Sequence, residues 1–364
     1  MRAEIINTIP EFEKLRNQWE ELYVESGSDN IFITFEWQFL YWKFLGKNDP
    51  LFILAVFDAE RLKAVLPLMA NKKFGFRELR FISYPISDYD DILMVRDESQ
   101  QDEIIRVAAD LLSRERQWSM LKLQGIAEGS PAYNLLRRLD ADFLLCSYLQ
   151  QHCDGAPQVN LNCGWEAYYS GLRRSFASDI RAFQKRAGKE TEYIPGDRLE
   201  EKDLPVILEN FMDMYMKRIK EIGGKSLFEN EKMREFFCYV SLELFRKNRL
   251  ELSQYKINGL IAAMEVGFIN NGRFFRYLAA FDSQFRKCSV ARLLLFQIIR
   301  RCFEKGLKTF DFMLGEEPYK RFWNPVPRKL FFWTLHKKTI SGYAFFAIFN
   351  RLNLFYKKLM KKKW

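Results

Sequence analysis

The sequence predicts an α+β protein built from two similar domains, and three observations lead to that prediction. The chain has 364 residues, of which 48% are apolar and 29% charged, so it can bury more than one core. Helical and strand periodicities alternate along it, and short turns between strands predict mostly antiparallel sheets. The order helix, helix, antiparallel strands, helix, strand occurs twice, which we interpret as a duplication; two unrelated α+β domains are the alternative.

The first half begins with a helical period over residues 9–25 and an aromatic segment over residues 34–45. A charged turn between two apolar runs then predicts a β-hairpin over residues 51–70. Two short strands follow, and a helix over residues 100–116 and a strand over residues 119–123 complete this half.

The second half has clearer turn signals. After two helical segments, Asn258-Gly259 predicts a two-residue hairpin turn, and Asn271-Gly272 predicts a second turn before a strand over residues 273–281. A helix over residues 290–305 is expected to end at Gly306, before another short strand. We therefore expect domains at 1–152 and 153–338, joined by a Gly- and Pro-containing connection, with a separate tail at 339–364.

The formal charge of +10 comes from the C-terminal part of the chain. Of 57 Lys and Arg residues, 12 lie between Pro318 and Trp364, a segment without Asp or Glu. The remaining chain holds 45 basic residues against 47 acidic ones, which argues against a DNA-binding surface spread over the body. We expect no DNA partner.

The tail places Phe345, Ile348, Leu352 and Leu359 at helical spacing on one face, and most of its basic residues on the opposite face. This pattern predicts an amphipathic helix that contacts the inner leaflet of a membrane, or a helix that docks on the protein's own core. The first residues do not resemble a signal peptide, and the apolar runs are shorter than the roughly 20 residues that cross a bilayer. We expect a cytoplasmic protein, peripheral at the inner membrane if the tail binds lipid.

The six cysteines and two histidines are spaced unlike common zinc sites, even where His152 and Cys153 are adjacent. We expect reduced thiols and no metal. Two histidines also make a histidine-based nucleophile triad a poor interpretation.

The segment from Arg273 to Trp323 carries the chemistry. It runs from a strand through a polar turn into a helix, and the N–H groups and positive dipole of a helix N-terminus suit a phosphate or pyrophosphate. Arg286, Lys287 and Arg292 add positive charge there, and Ser289 is a suitable N-cap.

Residues 286–291 (RKCSVA) resemble the pyrophosphate loop of GNAT-type acyltransferases, Gln/Arg-x-x-Gly-x-Gly/Ala. Arg286 and Ala291 match, and Ser289 stands in place of the first glycine. The longer pattern resembles the CelD-like acetyltransferase branch, which is related to the Fem peptidoglycan aminoacyl ligases. The segments of this chain that carry the longer pattern are YLAAFD (277–282), LLL (293–295), KGL (305–307), FDF (310–312) and GEEPYKRFW (315–323).

This resemblance implies two tandem GNAT-like domains and transfer of an acyl group, in the first place acetyl, from acyl-CoA. The acceptor would be an amine or hydroxyl on a small molecule or an envelope sugar. The implied cofactor-binding residues are Arg286, Lys287, Ser289, Val290, Ala291 and Arg292. No covalent enzyme intermediate is needed, so the absence of a nucleophile triad fits.

Four residues are candidates for catalysis, each with a structural alternative. Tyr319 would protonate the leaving thiolate or be a buried aromatic residue. Lys320 would stabilise negative charge or be a surface lysine. Asp282, at a strand end, would accept a proton or cap the turn. Glu265 would be a buried base with a raised pKa or face solvent.

Three further residues are candidates for binding the acceptor. Arg181 and Lys185 lie on a basic helix that would meet a phosphorylated acceptor or form a solvated face. Asp311 would orient the acceptor or brace the loop that follows its strand.

Two other functions stay open at this stage. A Fem-like ligase that uses aminoacyl-tRNA is compatible with the duplication and the basic helix. A catalytically silent module at the membrane surface, serving polysaccharide assembly, is compatible with the tail and the missing glycine.

Overall fold

The computed structural model describes residues 1–73, 75–142, 144–151, 155–315, 317–344 and 346–348. These residues form two compact units, of which the first holds the described residues up to 151 and from 329 onward. The second holds residues 155–328. Each unit carries one mostly antiparallel sheet flanked by helices, which confirms the predicted α+β fold.

The first unit begins with elements that the sequence indicates only in part. Its strands are β1 (Arg2–Ile6), β2 (Leu51–Asp58), β3 (Arg61–Lys73), β4 (Phe76–Phe81), β5 (Leu93–Met94), β6 (Met120–Ala127) and β7 (Leu144–Gln151). Its α-helices are α1 (Ile9–Lys14), α2 (Arg16–Ser26), α3 (Phe35–Tyr41), α4 (Glu98–Arg114) and α5 (Pro131–Asp142). A π-helical turn, Trp42–Gly46, continues α3.

The second unit contains the segment with the candidate site. Its strands are β8 (Ala156–Asn160), β9 (Thr191–Ile194), β10 (Leu250–Ile257), β11 (Leu260–Asn270), β12 (Arg273–Phe281), β13 (Thr309–Asp311) and β14 (Val326–Arg328). Its α-helices are α6 (Trp165–Gly171), α7 (Arg174–Ala187), α8 (Leu204–Glu221), α9 (Glu231–Arg246) and α10 (Val290–Glu304). Short 3₁₀ helices at Ser283–Cys288 and Pro318–Trp323 precede α10 and follow β13.

The last strand, β15 (Leu330–Lys337), corrects the expected domain boundary. The sequence predicts a second domain that extends to residue 338, but β15 lies in the first sheet between β6 and β7. It pairs antiparallel with both, with Trp333 opposite Leu123 and Leu149. Because sheet pairing joins residues that are far apart in sequence, local pattern alone does not reveal this placement.

The two sheets share one strand pattern. The first runs β1-β2-β3-β4-β6-β15-β7, with β5 beside β3, and the second runs β9-β10-β11-β12-β13-β8-β14. In each, the fourth and fifth strands are parallel, β4 with β6 and β12 with β13, and the other neighbours along the row are antiparallel. This common order supports the predicted duplication.

The second sheet packs its core around α10. Apolar side chains of α10, including Leu294 and Ile298, are buried against Ala262 of β11 and Phe274 of β12. The two Asn-Gly turns form as expected, with positive φ at Asn258 and Gly259 between β10 and β11. The helix and the sheet together therefore hold β12 and the N-terminus of α10 in fixed positions.

The predicted tail helix is described only at its start. Residues 340–344 and 346–348 are helical, and Ile340 and Tyr343 are exposed. The remainder of the predicted tail, with Leu352 and Leu359, lies outside the described residues. Among the described helices, none is long and apolar enough to cross a membrane.

Candidate functional site

A cavity of about 760 Å³ opens in the second unit beside β12. The C-terminal half of α8, the start of α10 and the 3₁₀ helix at residues 318–323 contribute its other walls. The charged residues that line it are Arg218, Arg276, Arg286, Arg292 and Glu317. With four cations and one carboxylate among the described lining residues, the cavity suits an anionic ligand.

The cavity lies where β12 extends beyond its pairing with β13 and bulges away from β11. The parallel pairing of β12 with β13 covers only Arg273–Phe275, opposite Thr309–Asp311, whereas β12 continues to Phe281. On the other side, the register with β11 shifts so that Arg276 faces Gly267 and Leu278 faces Val266. Tyr277 is therefore the extra residue of a β-bulge, and residues 276–279 line the cavity.

The start of α10 forms the end of the cavity where a phosphate would bind. Val290 and Ala291 line the cavity at the first turn, where helix N–H groups have no partner within the helix. Arg286 is exposed and lines the same wall. The N–H groups of a helix N-terminus and an adjacent arginine are hydrogen-bond donors, and the pyrophosphate oxygens of coenzyme A are suitable acceptors for them.

Ser289 adopts the backbone conformation that the missing glycine would favour. Its φ is 48° and its ψ is 44°, in the left-handed region. It occupies the N-cap position of α10, but its side chain makes no capping hydrogen bond. The turn therefore forms without glycine, at the conformational cost of a side chain in the left-handed region.

Arg276 joins two of the predicted catalytic residues. Its Nη2 donates to Glu265 Oε2 at 2.8 Å, and its Nη1 donates to the phenol oxygen of Tyr319. The guanidinium carbon also lies 5.1 Å from the centre of the Tyr319 ring. Only 1% of the Glu265 side chain and 12% of the Arg276 side chain are exposed, so this is a buried ion pair.

The environment shifts the pKa of each member of this group. Burial raises the pKa of Glu265, and Arg276 opposes that change. Burial also raises the pKa of Tyr319 to about 12, again opposed by Arg276. Burial acts against the charge of Arg276, but Glu265 and Tyr319 hold its pKa above the usual value. Tyr319 is therefore a neutral phenol at neutral pH.

This geometry fixes what the phenol can do. An arginine side chain only donates hydrogen bonds, so the Tyr319 oxygen accepts from Arg276 and the O–H remains available as a donor. Both Arg276 and Tyr319 line the cavity, whereas Glu265 lies behind Arg276 and positions it. The arrangement presents a protonated phenol, held by a buried cation, to a ligand in the cavity.

Lys320 stabilises a loop instead of lining the cavity. Its side chain is 3% exposed, and Nζ donates to the carbonyl oxygens of Met313, Leu314 and Gly315 at 3.2, 3.0 and 3.0 Å. It also pairs with Glu317 at 2.8 Å. These contacts support a structural role rather than the catalytic role that we predicted.

Asp282 caps a turn, the alternative named for it above. Its Oδ1 accepts from Gln284 N at 2.9 Å, and its Oδ2 lies 3.2 Å from Lys217 Nζ. The hydrogen bond from Gln284 and the charge of Lys217 lower its pKa. Because a lowered pKa weakens a base, this environment argues against proton abstraction by Asp282.

Asp311 braces the loop after β13. It is fully buried, and it accepts from Arg273, from the amide of Gln158 and from the backbone N–H of Met313. It lies outside the lining of the cavity, so the structure favours bracing over contact with an acceptor.

The remaining predicted binding residues divide between the cavity and the surface. Arg292 lines the cavity, with its guanidinium carbon 5.8, 5.3 and 4.8 Å from the ring centres of Phe176, Phe183 and Phe322. Lys287 is exposed on the 3₁₀ helix before α10, and Arg181 and Lys185 are exposed on α7. Helix α7 packs against both α10 and this 3₁₀ helix, so the basic surface borders the cavity's phosphate end.

Sequence reasoning missed Arg276, the residue that organises the site. The available signal was an arginine in the middle of the strand RFFRYLAAF, between aromatic residues and on the strand next to that of Glu265. As for metals, the described part of the chain contains no group of three or more His, Cys, Asp or Glu residues that could hold an ion. His152 and Cys153 lie outside that part.

Comparison with known proteins bears on this site and on the fold. Residues 173–321 match a family model described as an acetyltransferase (GNAT) domain. No curated protein sequence matches the chain. The structure is similar to the crystal structure of FemX, with a TM-score of 0.61 and 11% identity over 91% of this chain and 97% of that one.

Two further solved structures are similar over nearly their whole length. A conserved protein of unknown function from Bacteroides thetaiotaomicron has a TM-score of 0.57, with 12% identity over 92% of this chain and 100% of that one. The C-terminal domain of a putative lysylphosphatidylglycerol synthetase from Agrobacterium fabrum has a TM-score of 0.54, with 10% identity over 92% and 96%. At such identities the likeness shows the fold alone.

The match and the topology agree on the architecture. Residues 173–321 contain Arg276, Tyr319 and the start of α10, so most of the cavity wall lies in the matched segment. The first sheet repeats the strand order of the second. The chain thus has two α+β domains with the same strand order, and the second of them carries the match to a GNAT acetyltransferase domain.

Proposed function

We propose that this protein is an acyltransferase that moves an acyl group from acyl-CoA to an amine or hydroxyl. The observation that carries the proposal is the phenol of Tyr319, held by Arg276 inside a cavity that ends at the N-terminus of α10. One cavity thereby combines a neutral proton donor with a site for a pyrophosphate.

The donor would lie along β12. Its pyrophosphate would contact Arg286 and the N–H groups of Val290 and Ala291, and its extended arm would follow residues 276–279 toward Tyr319. The edge of β12 beyond Phe275 offers backbone groups to the amides of that arm. The thioester would then lie near the Tyr319 hydroxyl.

The transfer would be a direct attack. The acceptor nitrogen or oxygen forms a bond to the thioester carbon, the carbon–sulfur bond breaks, and Tyr319 O–H protonates the leaving thiolate. The proton that the acceptor loses passes to Glu317, the carboxylate among the described lining residues. Glu317 then releases its proton to solvent, the phenol regains one from solvent, and no bond to the protein forms.

The acceptor that we propose is an envelope sugar or a related precursor. The resemblance of residues 277–323 to the CelD-like branch supports this choice, and acetyl is the acyl group that the family description supports. The exposed Arg181 and Lys185 beside the cavity would favour a phosphorylated acceptor.

Calorimetry with acetyl-CoA and kinetics of Tyr319→Phe test the proposal. We expect saturable binding of acetyl-CoA by both proteins, and a fall in kcat of about 10²- to 10⁴-fold in the variant, the usual size of a general-acid effect. Tyr239→Phe, at an exposed tyrosine of α9, is the matched control and should retain full activity. Absence of acetyl-CoA binding would refute acyl-CoA as the acyl donor, and full activity of Tyr319→Phe would refute Tyr319 as the general acid.

A second candidate is transfer of an amino acid from charged tRNA. The exposed basic residues of α7 favour it, since Arg174, Arg181 and Lys185 form a surface on which a nucleic acid backbone could bind. The similarity to FemX and to a putative lysylphosphatidylglycerol synthetase is compatible with it. Transfer of labelled amino acid from tRNA to a cell-wall precursor or lipid would establish this function, and its absence beside activity with acetyl-CoA would exclude it.

A further inference from the structure

The first sheet carries two cations at a position where the second sheet has none. Where the parallel pairing ends in the second sheet, Phe275 lies opposite Asp311. At the matching position of the first sheet, Arg80 of β4 lies opposite Lys122 of β6. Like charges on directly opposed strand positions repel each other, so this pair is destabilising unless a negative charge lies nearby.

In the first unit, a segment of the chain packs against β6 next to this pair. Residues 87–91 lie along β6, and Asp90 N donates to Gln124 O while Gln124 N donates to Asp90 Oδ2 at 2.8 Å. A Cβ at Gly125 would lie 1.7 Å from the carbonyl oxygen of Asp88, so the two segments are in close contact. The cations therefore border a packed segment, unlike Arg276 beside its open cavity.

This packing fixes Tyr84 next to the two cations. Gln38 of α3 donates to Ser83 Oγ at 2.8 Å, and the Tyr41 hydroxyl donates to Tyr84 O at 2.9 Å. Lys122 Nζ in turn donates to the Tyr84 hydroxyl at 2.9 Å. The phenol oxygen accepts from Lys122, so its own O–H remains available as a donor.

The two cations differ in their described ion pairs. Asp49 pairs with Arg80 at 2.8 Å and also accepts from Asn71, but the ion pairs of the described residues include none for Lys122. Burial raises the pKa of Asp90 well above its ordinary value, although the hydrogen bond from Gln124 and the charge of Lys122 oppose the rise. Lys122 is therefore a partly buried cation whose described hydrogen-bond acceptor is the Tyr84 hydroxyl.

Arg80 has a further unused donor. Its Nε is buried and has no hydrogen-bond partner among the described residues. An oxyanion at this place could accept from the free N–H groups of Lys122 and from the Tyr84 hydroxyl, and could offset the repulsion between the two cations.

From this cluster we infer that the first unit binds an oxyanion, a phosphate or a carboxylate, at Lys122, Tyr84 and Arg80. The inference stands on the first unit alone and does not require acyl transfer in the second.

Calorimetric titration with inorganic phosphate, and separately with acetate, tests the site. The titrations use the Arg286→Ala variant as the starting protein, so that phosphate bound near the start of α10 does not mask binding at Lys122. We expect saturable binding in this background and a loss of about tenfold or more in affinity on Lys122→Met, since a hydrogen bond to a charged group is removed. Lys122→Arg should retain binding, and Lys14→Met, at an exposed lysine of the same unit, should leave it unchanged.

Thermal unfolding of each variant separates lost binding from lost folding. Tyr84→Phe keeps the ring but removes the donor, and should weaken binding while the protein stays folded. Stronger binding of phosphate than of acetate would identify a phosphate site, and the reverse a carboxylate site. Equal affinity of the background protein and Lys122→Met, or no saturable binding of either anion, would overturn the inference. Binding of acetyl-CoA by Lys122→Met in the otherwise native chain tests the donor site separately.

Discussion

Replacement of Arg276 by methionine is the most direct test of how the site is held together. The substitution keeps a long apolar stem in β12 but removes the charge that pairs with Glu265 and the donor that holds Tyr319. Glu265 Oε1 already has no hydrogen-bond partner among the described residues, and Oε2 receives its bond from Arg276. The variant would leave a buried carboxylate without a described donor.

The magnitude follows from that burial. With the Glu265 side chain 1% exposed, loss of its partner should cost the second unit about 3–5 kcal/mol of unfolding free energy. A double variant, Glu265→Leu with Arg276→Met, replaces both charges by apolar groups and should recover most of that loss. We expect the double variant to lack the proposed acyltransfer activity, since Tyr319 would no longer be held in position.

Urea-dependent hydrogen exchange of peptides from β11 and β12 measures this change within the second unit. A fall of under 1 kcal/mol in Arg276→Met, or equal stabilities of the single and double variants, would refute the reasoning. In the first case the carboxylate would be solvated or neutral, and in the second the loss would come from packing rather than from the unpaired charge.

The raised pKa of Glu265 also predicts a pH dependence. The folded protein keeps the Glu265 proton to a higher pH than the unfolded chain, in which glutamate has its ordinary pKa of 4.5. The stabilisation that this proton gives to the folded state is therefore complete below pH 4.5. It is lost as pH rises through the folded-state pKa. Glu265→Gln removes this dependence, so the stability difference between the two proteins should move in favour of glutamine as pH rises. A difference that stays constant with pH would contradict the shift.

Three further substitutions test other parts of the structure. Ser289→Gly should stabilise the second unit by about 1 kcal/mol and tighten phosphate binding, as glycine adopts the left-handed conformation freely; a lower midpoint of thermal unfolding would contradict this. Lys320→Met should destabilise the loop after β13 by about 1–3 kcal/mol, measured by hydrogen exchange, and unchanged protection of that loop would contradict the structural role. Gly125→Ala should destabilise the first unit by about 3 kcal/mol in chemical unfolding, because the new Cβ would collide with Asp88 O, and native stability would show that residues 87–91 move aside freely.

Local chemistry made parts of the fold predictable from the sequence. The turns at Asn258-Gly259 and Asn271-Gly272 form as expected, because the positive φ angles at these residues depend on the residues themselves. Helix α10 likewise follows from its own apolar period and from Gly306. The placement of β15 depended on pairing with β6, more than 200 positions earlier in the chain, and no local pattern encodes it.

The candidate site was predictable where a residue's role follows from its position in an element. Tyr319 and the start of α10 lie on the cavity, as the strand, turn and helix order suggested. The roles of Lys320 and Asp311 depend on which carbonyl or cation lies beside them after folding, and sequence spacing does not specify that. Arg276 was missed because its importance comes from contacts with two residues that are distant in sequence.

The position of β15 has a consequence for synthesis of the chain. The first sheet needs β15 to join β6 to β7, yet β15 follows the entire second unit in the sequence. A ribosome therefore completes all strands of the second sheet before it supplies the strand that closes the first. We expect a chain that stops at residue 328 to fold its second unit and to leave β7 without its partner strand, so the N-terminal domain is the last to finish folding.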